Sequence, residues 1–169
     1  IANALARMNA SPAQATWMAE VDVLSFGATK GGALAAEAVV FFDAARGANM
    51  AERRKRGGHL VSKHRFIAAQ IEAYLAGDLW LKLARHANAM AADLEYGLRG
   101  IPGVCIAHPR EANAVFAKLP AGIAAGLHAR GWIFYTDVGP SGAARLMCSW
   151  DTRREDVTAF VQDAAALAK

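Results

Sequence analysis

The sequence predicts an α/β protein in two parts, on three observations. Two short apolar runs, "VDVLSF" at 21 to 26 and "EAVVFF" at 37 to 42, flank a glycine-rich loop. A span from about 44 to 100 carries apolar residues at helical spacing. Beyond Pro102 the chain turns to short strand-like segments and a last helix, the pattern of a small α+β domain. The boundary is expected near 100. Residues 1–99 then form the end of a larger domain, including a long connecting helix, and residues 100–169 form the small C-terminal domain.

Each element has its own warrant. "IANALARM" opens in helical pattern with no capping residue before it, so the chain is expected to be the later part of a longer protein. Ser11, Pro12 and Gln14 make a helix start with a capping box, predicting a short helix to about Glu20. The runs at 21 to 26 and 37 to 42 read as buried strands. Gly57, Gly58, Gly77, Asp78, Gly100 and Pro102 then divide the helical span into a basic helix, a middle helix and a long helix of roughly 20 residues. Ile67, Ile71, Tyr74 and Leu75 form the stripe of the middle one; Leu79, Leu83, Met90, Leu94 and Leu98 form that of the long one. "VCIAH", "NAVFAKL", "WIFYT" and "ARLMCSW" read as strands, with a helix at 120 to 130 among them. Thr152 and Glu155 predict the capping box of the last helix, whose buried stripe is Val157, Phe160, Val161, Ala164 and Leu167 or Ala168.

Composition excludes several classes. Of 169 residues 54% are hydrophobic and 20% charged, and no apolar stretch is long enough to span a bilayer, so a soluble protein is expected. Nothing resembles a signal peptide. Cys105 and Cys148 lie in apolar strand-like contexts, which suits buried thiols in a reducing compartment and makes the cytoplasm the expected location. His59, His64, His86, His108 and His128 show no metal-ligand spacing, so no metal site is expected. Much of the +4 net charge is local, in "ERRKRGGHLVSKHR" from 52 to 65. Arg53, Arg54, Lys55, Arg56, Lys63 and Arg65 could face nucleic-acid phosphates, but aromatic interleaving is missing apart from Phe66, and a solvated helix face explains such a run better.

Lys30 sits in the loop between the two apolar runs. A lysine there is ordinarily a solvated turn residue. Ligands of α/β sheets, however, sit beyond strand ends, and Gly27, Ala28, Gly31 and Gly32 leave room beside the amine. A lysine amine that loses its proton readily attacks an aldehyde to form a Schiff base. Arg145 begins the strand "RLMCSW", in which Leu146, Cys148 and Trp150 share one face, and points the other way. Its guanidinium fork suits bidentate carboxylate binding, though pairing with an internal acid or simple exposure at a sheet edge stays open from the residues alone.

Over essentially its whole length the chain resembles the pyridoxal-phosphate-dependent low-specificity L-threonine aldolases of the aspartate aminotransferase-like fold. The pieces that carry the resemblance are "VDVLSFGATKGGALAAEAVVFFD", "RRKRGGHLVSKHRFIAAQIEAYL", "DLWLKLARHANAM" and "ARLMCSW". The S-x-x-x-T-K piece alone would be weak. The resemblance implies that the chain is the C-terminal part of a large cofactor-binding domain followed by the small domain. It implies that Lys30 holds pyridoxal 5'-phosphate covalently, with Thr29 beside it and Arg65 reaching the cofactor phosphate of a neighbouring subunit. Arg145 is then the binder of the substrate carboxylate, and Lys55 borders the active site. The implied reaction cleaves L-threonine and related β-hydroxy-α-amino acids to glycine and an aldehyde, in a homodimer or homotetramer with shared sites and no nucleic-acid or membrane partner.

In relatives an Asp-Gly-Ala-Arg motif, the glycine-rich phosphate loop and two active-site histidines belong to the part that precedes "IANALARM", so this chain carries half a site and is expected to be inactive alone. Ala28 and Gly31 replace the glycine and asparagine frequent in relatives, and both are small. Asn113 matches a position where an asparagine is often kept. Two other readings remain open: a different lyase on the same scaffold, such as a β-eliminating one, and a non-catalytic remnant that keeps the fold as an interaction module.

Overall fold

The computed structural model describes residues 1–168 and divides into two compact units, Ile1–Leu83 and Ala84–Lys169. The mixed helices and sheets make an α/β architecture, as the sequence predicts. The division falls inside the long helix, and the final residue of the expected 100–169 domain lies outside the described residues.

The first unit opens with α1 (Ala2–Met8), closed by Asn9 in a left-handed conformation. Helix formation over 11–20 fails. Ser11 and Gln14 do make their reciprocal bonds: the Ser11 N–H donates to Gln14 Oε1 at 2.8 Å, and the Gln14 N–H to Ser11 Oγ at 3.3 Å. The turn does not propagate, because the Thr16 hydroxyl bonds back to the Pro12 carbonyl at 2.7 Å and the chain leaves through a single 3₁₀ turn, Trp17–Ala19. Strands β1 (Val23–Gly27) and β2 (Glu37–Phe41) then pair antiparallel, with Phe26 opposite Ala38 and Gly27 opposite Glu37.

These strands are less buried than expected. Only one face of the pair is covered, where Phe26 packs on Tyr74 and Trp80 with ring centroids 6.3 and 5.7 Å apart. Val23 and Val39, on the other face, are exposed. Helices α2 (Met50–Arg56), α3 (His64–Leu75) and α4 (Leu79–Arg99) follow, as the punctuation predicts. Tyr74 is the buried member of the α3 stripe, while Ile67 and Ile71 are half-buried and Leu75 is exposed.

The second unit is a four-stranded antiparallel sheet with helices packed on one face. Its strands are β3 (Cys105–Ile106), β4 (Ala114–Lys118), β5 (Tyr135–Val138) and β6 (Ala143–Met147), in spatial order β3-β4-β6-β5. The remaining helices are α5 (Ala121–Ala129) and α6 (Arg154–Leu167). Val115, Ala117, Ala144, Leu146 and Cys148 meet Met90, Leu94 and Leu98 of α4 and Val157 and Phe160 of α6 in the core. The strand expected at "WIFYT" starts only at Tyr135. Trp132 and Phe134 are instead held by side chains: Trp132 Nε1 donates to Asp163 at 2.8 Å, and Phe134 stacks on His128 with centroids 4.2 Å apart.

The capping of α6 is also displaced by one residue. The Arg153 N–H donates to Asp156 Oδ2 at 3.3 Å, whereas the Thr152 hydroxyl accepts from the Ser149 N–H at 2.7 Å. Cys148 is buried as expected, but Cys105 is exposed on the short edge strand β3.

Candidate active site

Lys30 is the middle residue of a 3₁₀ turn, Thr29–Gly31, set in the loop that joins β1 to β2. The loop is narrow at its base because three bonds converge on Ala36. The Ala28 N–H donates to the Ala36 carbonyl at 2.9 Å, the Ala36 N–H donates to Thr29 Oγ1 at 3.0 Å, and the Thr29 hydroxyl donates to the same carbonyl at 3.4 Å. Ala28 and Ala36 are buried under this closure. Within the turn the N–H groups of Gly31 and Ala33 both donate to the Ala28 carbonyl, at 2.9 and 3.1 Å, and Gly32 takes φ +125°, which glycine alone adopts freely.

The far side of the loop is fastened to α3. Gln70 Oε1 accepts from the N–H groups of Leu34 at 2.9 Å and Ala35 at 3.2 Å. One turn further along the same helix, a Cβ built at Gly31 would overlap the Tyr74 hydroxyl outright and stand 2.8 Å from Tyr74 Cζ. Gln70 and Tyr74 are thus part of the lysine's setting, and sequence reasoning missed this. Tyr74 had a signal as a stripe residue; nothing local indicated what it would touch.

The Lys30 side chain is exposed and makes no hydrogen bond or ion pair with any described residue. The neighbours Gly27, Gly31 and Gly32 leave the amine open on the turn. Lys55, near the end of α2, is exposed. Arg65, in the first turn of α3, lies with its guanidinium 4.7 Å from the ring centroid of Phe66. Beside it, His64 Nδ1 is buried with no hydrogen-bond partner among the described residues.

Arg145 belongs to the second unit, on β6, one of the two central strands of the sheet. It lies on the face opposite the helices, opposite Phe116 on one side and Tyr135 on the other. It is half-buried and has no acid partner among the described residues. The register beyond Tyr135 is broken by a bulge, with Asp137 at φ 56°. Asn113 also has a structural part. Its Nδ2 donates to the Cys148 carbonyl at 2.7 Å.

Thr29 and Lys30 therefore share one turn, Lys55 and Arg65 lie on two helices of the same unit, and Arg145 stands in the other unit. A separate cleft of about 300 Å³ in the second unit is lined by Leu94, Trp132, Phe134 and Cys148 among others, and includes none of these five residues. Burial pushes the Cys148 thiol up to about 11. Among the described residues no group of three or more His, Cys, Asp or Glu side chains could hold a metal ion. No helix there is long and apolar enough to cross a membrane.

The chain places a lysine on a tied-down turn after a strand, followed by helices and a small α+β unit, and residues 1–121 match the model of the beta-eliminating lyase family. The chain belongs to that family. It is 45% identical over 161 residues to the low specificity L-threonine aldolase of Pseudomonas aeruginosa, covering 95% of this chain and 46% of the relative. It is 41% identical over 165 residues to that of a Pseudomonas species, covering 98% and 47%. Among solved structures, a threonine aldolase of Leishmania major superposes with a TM-score of 0.87 at 29% identity, over 99% of this chain and 49% of that one. The chain thus spans about half the length of the relatives it matches.

Proposed function

We propose that the intact protein carrying this chain is a pyridoxal-phosphate-dependent L-threonine aldolase, cleaving L-threonine, L-allo-threonine and related β-hydroxy-α-amino acids to glycine and an aldehyde. The observation that carries this reading is Lys30: an amine with no partner, on a turn fixed from both sides, in a chain 45% identical over most of its length to an L-threonine aldolase.

The residues present fit the cofactor. An amine that must bond to an aldehyde needs open space and no competing carboxylate, and Lys30 has both. When bound, the cofactor supplies an electron sink for charge developing at the substrate's α-carbon. The chain's own residues bind and orient. Lys30 would hold the cofactor at its aldehyde carbon, and Thr29, bonded to Ala36, ties down the turn that carries the amine. Arg65, beside the unpartnered ring nitrogen of His64 at the start of α3, supplies positive charge for the phosphate of a cofactor held by a neighbouring copy. Arg145 takes the substrate carboxylate with its guanidinium fork, and Lys55 adds positive charge at the site border. A base drawn from outside this chain removes the β-hydroxyl proton as the bond between the α- and β-carbons breaks.

On this reading residues 1–99 end the large cofactor domain, residues 100–169 form the small domain, and the enzyme is a cytoplasmic homodimer or homotetramer with shared sites and no nucleic-acid partner. The isolated chain is then inactive. The test is borohydride reduction of the intact protein with pyridoxal phosphate, peptide mapping, and product assay from threonine. Label on Lys30 with glycine and acetaldehyde supports the proposal. The family's name favours one second reading, β-elimination, for which the products would be pyruvate and ammonia. Absence of label on Lys30 overturns both.

A further inference from the structure

Position 31 has no room for a side chain. A Cβ there would overlap the Tyr74 hydroxyl, stand 2.8 Å from Cζ and 3.4 Å from Cε2, although the backbone of Gly31 itself carries no positive φ that would demand glycine. The restriction therefore comes from Tyr74 and not from the turn. Tyr74 in its own right is held firmly. It is 5% exposed, packs against Phe26 of β1, and lies one helical turn beyond Gln70, which binds the other side of the same loop. Burial raises the phenol's pKa, so the hydroxyl stays neutral near neutral pH.

We propose that Tyr74 is the positioning residue for Lys30: its phenol occupies the volume that a side chain at position 31 would fill, and so holds the Thr29–Gly31 turn in the one conformation that presents the amine outward. This deepens the assignment of Lys30 as the cofactor lysine and rests on it. On this assignment Tyr74 is a positioning residue and not a catalytic one. Its phenol acts through the backbone of the turn, whose Gly31 and Ala33 N–H groups share the Ala28 carbonyl.

The experiment is a double-mutant cycle in the intact protein, using Gly31→Ala, Tyr74→Phe and the pair, with Tyr74→Ala as a larger deletion. Two readouts are taken: the rate of pyridoxal phosphate attachment to Lys30, trapped by borohydride, and amide hydrogen exchange at Gly31 and Ala33, which needs no cofactor. Gly31→Ala alone is expected to slow attachment about tenfold through overpacking against the phenol. Tyr74→Phe removes the worst overlap and should restore most of that rate in the pair, while Tyr74→Ala speeds exchange at Gly31 and Ala33. Equal attachment rates in Gly31→Ala and the parent, or additive losses in the pair, overturn the proposal. If the parent protein attaches no cofactor at Lys30 the functional assignment falls. Unchanged exchange in Tyr74→Ala sinks the positioning role separately.

Discussion

Thr29 and Ala36 close the loop of Lys30 with a reciprocal pair of bonds: the Ala36 N–H donates to Thr29 Oγ1 at 3.0 Å, and the Thr29 hydroxyl donates to the Ala36 carbonyl at 3.4 Å. The side chain does what a further rung of the β1–β2 ladder would do, while leaving the turn free to bulge outward. Thr29→Val keeps the shape and removes both bonds, leaving the Ala36 N–H without a partner. It is expected to lower stability by about 1 kcal/mol and to slow cofactor attachment, whereas Thr29→Ser should retain both properties. Thermal unfolding and borohydride trapping check this.

Arg145 gives a prediction about affinity. Its position between Phe116 and Tyr135, without an acid partner, leaves both guanidinium edges available. Arg145→Lys keeps the charge and loses the fork, so KM for threonine in the intact enzyme should rise about tenfold or more with a smaller change in kcat. A variant with unchanged KM would remove Arg145 from the carboxylate site.

Gly97 of α4 faces Val161 of α6 so closely that an added Cβ would stand 2.7 and 2.9 Å from the two Val161 methyls. Gly97→Ala gains about 1 kcal/mol of helix propensity and loses about 1–3 kcal/mol to overpacking, because a β-branched side chain in a helix has little rotamer freedom with which to yield. The substitution should lower Tm in the parent and raise it in a Val161→Ala background. Thermal melts of the four proteins decide it.

Asp163 ties α6 to the segment after α5. Hydrogen bonding from Trp132 Nε1, and then from Arg130, holds its carboxyl below the usual carboxylate value of 3.8. A folded-state pKa below the unfolded one means the contribution is complete above about pH 3.8 and is lost as pH falls further through the folded value. Acid unfolding should therefore steepen below that pH, and Asp163→Asn should flatten the slope. Equal acid sensitivity in the two proteins would count against the tie.

The two thiols should react at very different rates. Cys148 is 3% exposed and its thiol is pushed up to about 11, so little thiolate forms and reagents do not reach it; Cys105 is exposed. One thiol is expected to titrate with an aromatic disulfide in the folded protein and the second only in denaturant.

Local pattern carried the elements further than their edges. The three helices of the 44 to 100 span follow from glycine punctuation and a 3.6-residue stripe, which depend on nothing distant. The 11 to 20 segment shows the limit: its capping box forms, yet Thr16 turns its hydroxyl onto Pro12 and the helix stops. Propagation depends on bonds that a cap alone does not supply. At "WIFYT" the apolar run is real, but Trp132 and Phe134 find better partners in α6 and His128 than in a ladder.

The same division holds at the site. Lys30 and Arg145 stand out as candidates by residue type and immediate neighbours, a lysine among glycines and an arginine out of phase with an apolar face. Those features leave a solvated turn and a sheet-edge arginine open, and their proposed roles come from the resemblance. Gln70 and Tyr74 do not stand out, since their part lies in contacts some 36 and 43 positions away in the chain, Leu34 with Gln70 and Gly31 with Tyr74. Period and punctuation determine which residues can form an element and which side of it is apolar. Only packing decides which distant loop that side meets, because close approach of two surfaces is a property of three-dimensional shape that no stretch of neighbouring residues encodes.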